Sequence, residues 1–319
     1  MGHLEGARNP VALPEPRAGL PKPKRPLAIG EVILAAGIWS TSFVGIRYVV
    51  GSAPPLTLAG LRYFIAFLLF LPFLVRHRGS LQSLRRGLWI RLALMGLVQY
   101  ALGNGALFWA LKWVSSTAGA LTQSLAPLVT LVLELLWLRE RLSARQLSGV
   151  LVAVSGSVFF FGPEAASGTH PAALALLGIT VVAFGLFPVL VRESSRSSEV
   201  GSVVLTALPL GFGGGALLIL GLIFQGWAWL SGAEWGIVLG LAAVNTTVAY
   251  LLFTHALRGL RATEANVILN LSPLGTALIA WATLGEGLSA AQGLAMVAVV
   301  AGAALAQWRR GVDRRGRDR

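Results

Sequence analysis

Ten stretches of about 20 apolar residues recur along this 319-residue chain, and about 20 residues is the length an α-helix needs to cross a hydrocarbon core of roughly 30 Å. They fall at about 29–50, 56–75, 88–111, 114–137, 144–162, 172–191, 201–225, 234–257, 262–284 and 289–308. A backbone inside lipid must satisfy its own amides, so each stretch is expected to be a helix. The period-two alternation of a membrane β-barrel is missing from them. Only 12% of residues are charged, against about 25% in a soluble domain. The fold class expected is therefore an all-α polytopic membrane protein with ten transmembrane helices.

A net charge of +13 invites a nucleic-acid reading, but the distribution of the charge argues against it. With the N-terminus in the cytoplasm, 23 of the 26 Lys and Arg residues fall on cytoplasmic segments. Lys112 falls on the opposite side, and Arg47 and Arg62 lie within helices near the outer face. This is the positive-inside pattern. It implies a multi-pass protein of the cell inner (plasma) membrane with both termini cytoplasmic, and it makes the lipid bilayer, not nucleic acid, the partner. Residues 1–28 carry six prolines and read as a disordered cytoplasmic tail. Residues 309–319 form a basic tail suited to anionic headgroups. No short apolar signal core precedes the first helix. The chain has no cysteine, so disulfides and thiolate metal sites are excluded.

The chain repeats. Residues 110–156 set against 256–302 at an offset of 146 give 15 identities in 47 positions, among them Thr117/Thr263, Pro127/Pro273, Glu140/Glu286 and Gln146/Gln292. Chance in this composition gives roughly a tenth. The halves, 29–162 and 172–308, each hold five helices. An odd number forces the second copy to enter the membrane from the opposite side, so two inverted five-helix repeats are expected. Inverted repeats around a midplane site are a recurrent plan of secondary transporters.

Leu125–Ala126–Pro127, Leu138–Arg139–Glu140–Arg141–Leu142, Gln146 and Gly149 resemble the signature of the EamA half-domain of the drug/metabolite transporter superfamily. The second copy is similar: Leu271–Ser272–Pro273, Leu284–Gly285–Glu286–Gly287–Leu288 and Gln292. So are Trp39 followed by Arg47, and Leu61–Arg62–Tyr63. The resemblance spans about residues 30–308 and departs where Ala295 stands at the position of Gly149, a place for helix packing. It implies an exporter of small metabolites, such as amino acids or related amphipathic compounds, with a cavity between the halves.

Ionisable residues inside a membrane are costly and default to functional readings. Glu134, one turn from the inner end of its helix, could relay protons, reach the interface, or pair with Arg139 or Arg141. Glu264 sits in the first turn of a helix, where the dipole favours it. His255 could titrate near neutral pH or simply be capped. Glu31 reads as a terminal charge. Glu140 and Glu286 read as structural residues at matching helix ends. Arg47 and Arg62 could hold a substrate carboxylate or snorkel to interfacial phosphates. Arg47, Glu134, His255 and Glu264 thus form a set for charge or proton coupling.

Uncharged polar residues make the stronger candidates for substrate binding: Gln99, Tyr100 and Asn104 in the third helix, Gln123 in the fourth, Asn245 in the eighth, and Asn266 and Asn270 in the ninth. The last two are spaced to share a face. Pro127 and Pro273, at equivalent places, are expected to make two matching broken helices, each freeing a carbonyl. The competing role for every polar residue is interhelical hydrogen bonding. Trp39 is expected near the midplane as an apolar wall, whereas most of the other tryptophans suit the interfacial belt.

The expected activity is transport of a small-molecule substrate by alternating access, with no cofactor. A lipid or lipid-linked sugar translocase, and a non-transport scaffold or receptor, are the alternatives. An enzyme is not expected: His3, His77, His170 and His255 fall on separate segments, so no catalytic cluster forms. Substrate identity, direction, coupling and oligomeric state are not legible in the sequence.

Overall fold

The computed structural model describes residues 22–50, 53–76, 81, 84–110, 113, 116–139, 143–165, 170–196, 201–284 and 289–307. All regular structure among these residues is helical, and no strand occurs among them. In chain order the helices are α1 (Arg25–Val50), α2 (Pro55–Arg76), α3 (Arg86–Ala110), α4 (Ser116–Leu136) and α5 (Ala144–Ala165), then α6 (Pro171–Arg196), α7 (Ser202–Gln225), α8 (Gly232–Ala256), α9 (Ala262–Leu269 and Leu271–Leu284) and α10 (Ala290–Gln307). Helices α2, α3, α6, α7 and α8 are long and apolar enough to cross a membrane; Gln123–Leu136, Ala144–Phe160 and Ala290–Ala306 are shorter apolar segments.

Local sequence sets the boundaries. Pro55 and Pro171 open α2 and α6, where a missing N–H costs nothing. Ser231 and Glu234 form a reciprocal capping box at the start of α8. Gly226 ends α7 with φ of +81°, a conformation that suits glycine.

Small residues set the packing. On α2 and α7, Thr57 faces Gly221, Gly60 faces Leu218, and Tyr63 faces Gly214. The α2 number rises as the α7 number falls, so the helices run antiparallel. Helices α5 and α10 do the same, with Gly149 against Ala306 and Ala153 against Gly302. In both pairs a Cβ on the glycine would drive into the facing backbone. Close backbone approach through small residues is the usual basis of helix association in lipid. The departure at Ala295 is absorbed here, since its carbonyl faces Gly156 across the same seam.

Helices are exchanged between the halves. Thr130 of α4 donates to the carbonyls of Ala126 in its own helix and Gly185 in α6. Thr276 of α9 donates to the carbonyls of Ser272 in its own helix and Ser40 in α1. Each residue of the second set lies 145 or 146 positions from its counterpart in the first. The repeat therefore extends to individual hydrogen bonds.

One expectation is corrected. Helix α4 continues unbroken through Pro127, so the prolines do not make two matching breaks. Only α9 is interrupted, at Asn270, whose N–H reaches back three residues to Val267. The paired irregularities are instead π-helical turns, Leu97–Asn104 in α3 and Leu241–Val248 in α8. Side chains stabilise both turns by reaching back five residues: Asn104 Nδ2 to Gln99 O at 2.8 Å, Thr246 Oγ1 to Leu241 O at 3.1 Å, and Thr247 Oγ1 to Ala242 O at 2.9 Å. Single π turns inside α-helices concentrate at functional sites.

Candidate functional site

The two π turns face a common centre lined by aromatic rings. Tyr63 (α2), Tyr100 (α3) and Tyr250 (α8) are buried and packed in series, with centroids 4.8 Å apart for Tyr63–Tyr100 and 5.3 Å for Tyr100–Tyr250. Phe187 of α6 closes on Tyr100 at 6.2 Å and Tyr250 at 6.3 Å. Trp39 of α1 meets Tyr250 edge-on at 5.0 Å and Phe253 at 5.8 Å. Helices of both halves thus contribute to one cluster.

A polar chain threads these rings. Tyr63 donates its hydroxyl to Asn104 Oδ1 at 2.8 Å, and Gln99 Nε2 donates to Tyr250 Oη at 3.1 Å. Gln99 Oε1 is buried and makes no hydrogen bond among the described residues, which leaves an acceptor at the centre. The Trp39 indole N–H donates to Asn245 O at 2.7 Å, and Asn245 Nδ2 donates to Ile38 O at 2.5 Å and Thr41 Oγ1 at 3.0 Å. Of the eight residues expected to bind substrate, Trp39, Gln99, Tyr100, Asn104 and Asn245 gather here. Such a surface can hold a hydrocarbon body while offering a few hydrogen bonds, the usual composition of a small-molecule site.

The other three lie along α4 and α9. Asn266 donates to Thr130 Oγ1 at 2.7 Å and to Phe184 O at 3.5 Å, and Asn270 donates to Ser124 O at 3.4 Å. The two asparagines share a face as expected, and that face is turned to α4. Gln123 is half-buried and forms no hydrogen bond among the described residues.

The ionisable candidates collect at one end of the bundle. Glu264 is buried and binds both terminal nitrogens of Arg25, at 3.0–3.2 Å. It also accepts from Gln146 Nε2 at 3.0 Å and from the Arg261 N–H at 3.2 Å, capping α9. Glu134 accepts from the Ala262 N–H at 2.6 Å, so two carboxylates converge on the positive end of one helix. His255 Nδ1 lies 2.8 Å from Glu31 Oε1, so Glu31 is a hydrogen-bond partner of α8 as well as the terminal charge expected. The Arg47 side chain lies outside the described residues, as do Glu140 and Glu286.

The sequence alone does not single out Tyr63 or Tyr250 as site residues, and it leaves Arg62 either a carboxylate ligand or a snorkelling side chain. Arg62 does not snorkel to the interface. It is 6% exposed and donates to Thr246 Oγ1 and Ser42 Oγ at 2.8 Å and to Asn245 O at 3.3 Å, 5.5 Å from the Tyr63 ring. Its place seven residues into α2 was the available signal: a rise of about 1.5 Å per residue puts it near 10 Å below the helix start.

The sequence profile of the EamA-like transporter family matches residues 27–162 and 171–308. The chain is 22% identical to the uncharacterized transporter YoaV of Bacillus subtilis over 80% of this chain and 88% of that one. It is 24% identical to the uncharacterized transporter YyaM of Bacillus subtilis over 80% and 85%. To the uncharacterized inner membrane transporter YedA of Escherichia coli K12 it is 31% identical, over 57% and 55%. A crystal structure with 22% sequence identity superposes with a TM-score of 0.74, covering 89% of this chain and 97% of the other, which establishes a shared fold. Two matched segments cover nearly all the apolar sequence, and the chain is a multi-pass membrane protein that belongs to the EamA-like transporter family.

Proposed function

We propose that the protein is a secondary transporter that exports small amphipathic metabolites, of the size of amino acids, by alternating access. Ten helices cross the inner membrane as two inverted five-helix repeats, 29–162 and 172–308, with both termini in the cytoplasm. The substrate occupies the aromatic centre between the π turns of α3 and α8. The observation that carries this reading is the pairing of those turns: equivalent helices of the two halves are locally unwound beside the same ring cluster. Reciprocal hydrogen bonds between exchanged helices support two near-equivalent halves able to interchange their conformations. The charged end, with Arg25–Glu264 and His255–Glu31, is the cytoplasmic gate, closed in this conformation.

Counterflow in proteoliposomes, with a panel of amino acids, amines and organic acids, tests the activity. Accumulation of at least one amphipathic compound is expected, and empty traces across the whole panel would refute it. Topology is tested separately. The chain has no cysteine, so single cysteines at residues 80 and 198 should both label only from the cytoplasmic side. Labelling of either from outside would contradict the inverted arrangement.

A further inference from the structure

Arg62 presents a charge that no described acidic side chain balances. Its three partners, Thr246, Ser42 and the carbonyl of Asn245, are neutral. The acidic residues whose side chains are described are engaged elsewhere: Glu31 with His255, Glu134 with the Ala262 amide, Glu193 with Arg91, Glu234 with Ser231 and Glu264 with Arg25. Burying a charged group without a counter-charge is among the costliest arrangements in a membrane interior. A guanidinium has five N–H donors. The three bonds to described residues leave one N–H on each terminal nitrogen, the pair that a carboxylate can engage bidentately.

The surroundings define the rest of the ligand. The Tyr63 ring lies 5.5 Å from the guanidinium carbon and starts the series Tyr63–Tyr100–Tyr250. Trp39 donates to the same Asn245 carbonyl as Arg62 does, so cation and aromatic wall share one anchor. The charge is confined to the first half: offsets of 145 to 147 place Arg62 against Ala207, Leu208 or Pro209 of α7. A symmetric scaffold therefore carries one anion anchor.

We infer that Arg62 docks a carboxylate on the transported molecule, whose hydrocarbon part lies against Tyr63, Tyr100, Tyr250 and Phe187. Ser42, Thr246 and the Asn245 carbonyl of the α8 π turn hold the guanidinium in place. The inference rests on the transport reading and makes a carboxylate the feature that substrates share.

The test uses acid and amide pairs on aromatic, branched and linear skeletons, among them 3-phenylpropanoate with 3-phenylpropanamide and phenylalanine with phenylalaninamide. Binding to the full-length protein in phosphatidylcholine liposomes is read by thermal stabilisation, and transport by counterflow. At least one acid is expected to bind about tenfold to a hundredfold more tightly than its amide. Arg62→Gln should remove that difference between acid and amide, and Arg62→Lys should retain part of it. The comparison on the unsubstituted protein stands even if both variants misfold. Equal binding or flux of acids and amides overturns the anchor while leaving transport intact. So does a panel in which only amines are carried, or stabilisation that appears only on adding anionic lipid. Failure of every compound to move counts against transport itself and also against the anchor.

Discussion

Asn270 Nδ2 donates to the carbonyl of Ser124 at 3.4 Å, and the two residues are 146 positions apart, the repeat offset itself. A residue of one half therefore bonds to its own counterpart in the other. The contact lies where α4 and α9 cross, at the pseudo-symmetry axis, beside the break in α9. If the halves move against each other as proposed, such a point is the natural pivot. Asn270→Ala is expected to lower transport several-fold while changing stability by less than about 1 kcal/mol, the range for interhelical hydrogen bonds in lipid. Gln123→Ala, adjacent to Ser124, is expected to behave alike. Flux and thermal unfolding measured on the same preparations would check this, and wild-type flux in both variants would remove α4 and α9 from the pathway.

Thr130 and Thr276 make equivalent bonds, to Gly185 O at 2.9 Å and Ser40 O at 3.1 Å. Thr276→Val should cost about 0.6 kcal/mol, and Thr130→Val more, because it also removes the acceptor of Asn266 Nδ2 at 2.7 Å. The two costs should add in the double variant, because the seams are separate. Equilibrium unfolding in bicelles can measure all three variants. Equal costs in the two singles would show that the Asn266 bond to Thr130 contributes nothing.

Gly149 and Gly302 hold α5 and α10 together through backbone contact. Gly149→Val or Gly302→Val should prevent accumulation of folded protein, because the helices cannot separate without losing the whole seam. Gly178→Ala, where a Cβ meets nothing within 4 Å, is the matched control and should express normally. Fluorescence-detected size-exclusion chromatography of all three would decide the point.

Glu264 forms a bidentate ion pair with Arg25, whose side chain is 26% exposed. Glu264→Gln should destabilise the protein by about 1–3 kcal/mol, below the roughly 3–5 kcal/mol of a fully buried pair because Arg25 is partly solvated. Gln146 and the Arg261 amide also lose a charged acceptor. If this end is the cytoplasmic gate, a cysteine introduced at Ser143 should label faster from that side in the variant. Unchanged labelling together with the stability loss would leave the pair a structural clasp only.

Asn104 supports the α3 π turn and accepts from Tyr63. Asn104→Leu strands the Gln99 carbonyl and the Tyr63 hydroxyl in an apolar site, at about 1–3 kcal/mol for each unpaired group. Unfolding of Asn104→Leu beside Tyr63→Phe/Asn104→Leu, which removes the stranded hydroxyl, should show partial recovery in the double variant.

Helices and repeats were readable in the linear chain because lipid leaves the backbone no alternative: an apolar run of sufficient length must satisfy its amides internally. The shared offset of Pro127 and Pro273 was equally plain. Its consequence was not, since whether a proline breaks a helix depends on what the neighbouring helices supply. Helix α4 passes through Pro127 intact, whereas α9 breaks at Asn270. Four of the residues chosen for polarity, Gln99, Tyr100, Asn104 and Asn245, do meet at the centre, with Trp39, chosen as an apolar wall. Tyr63 and Tyr250 join them by facing, which a single helix does not disclose.

Arg62 marks the division most clearly. The order of residues determined that an arginine stands seven positions inside an apolar helix, and that no matching charge stands in the second half. Only the tertiary structure decided its direction. With α1 and α8 packed over α2, the guanidinium meets Ser42, Thr246 and the Asn245 carbonyl, and a side chain so covered cannot extend to the interface. Apolar length is a property of each segment alone, so sequence suffices for it. The partner of a buried polar group is a property of three helices at once, and only their packing can choose it.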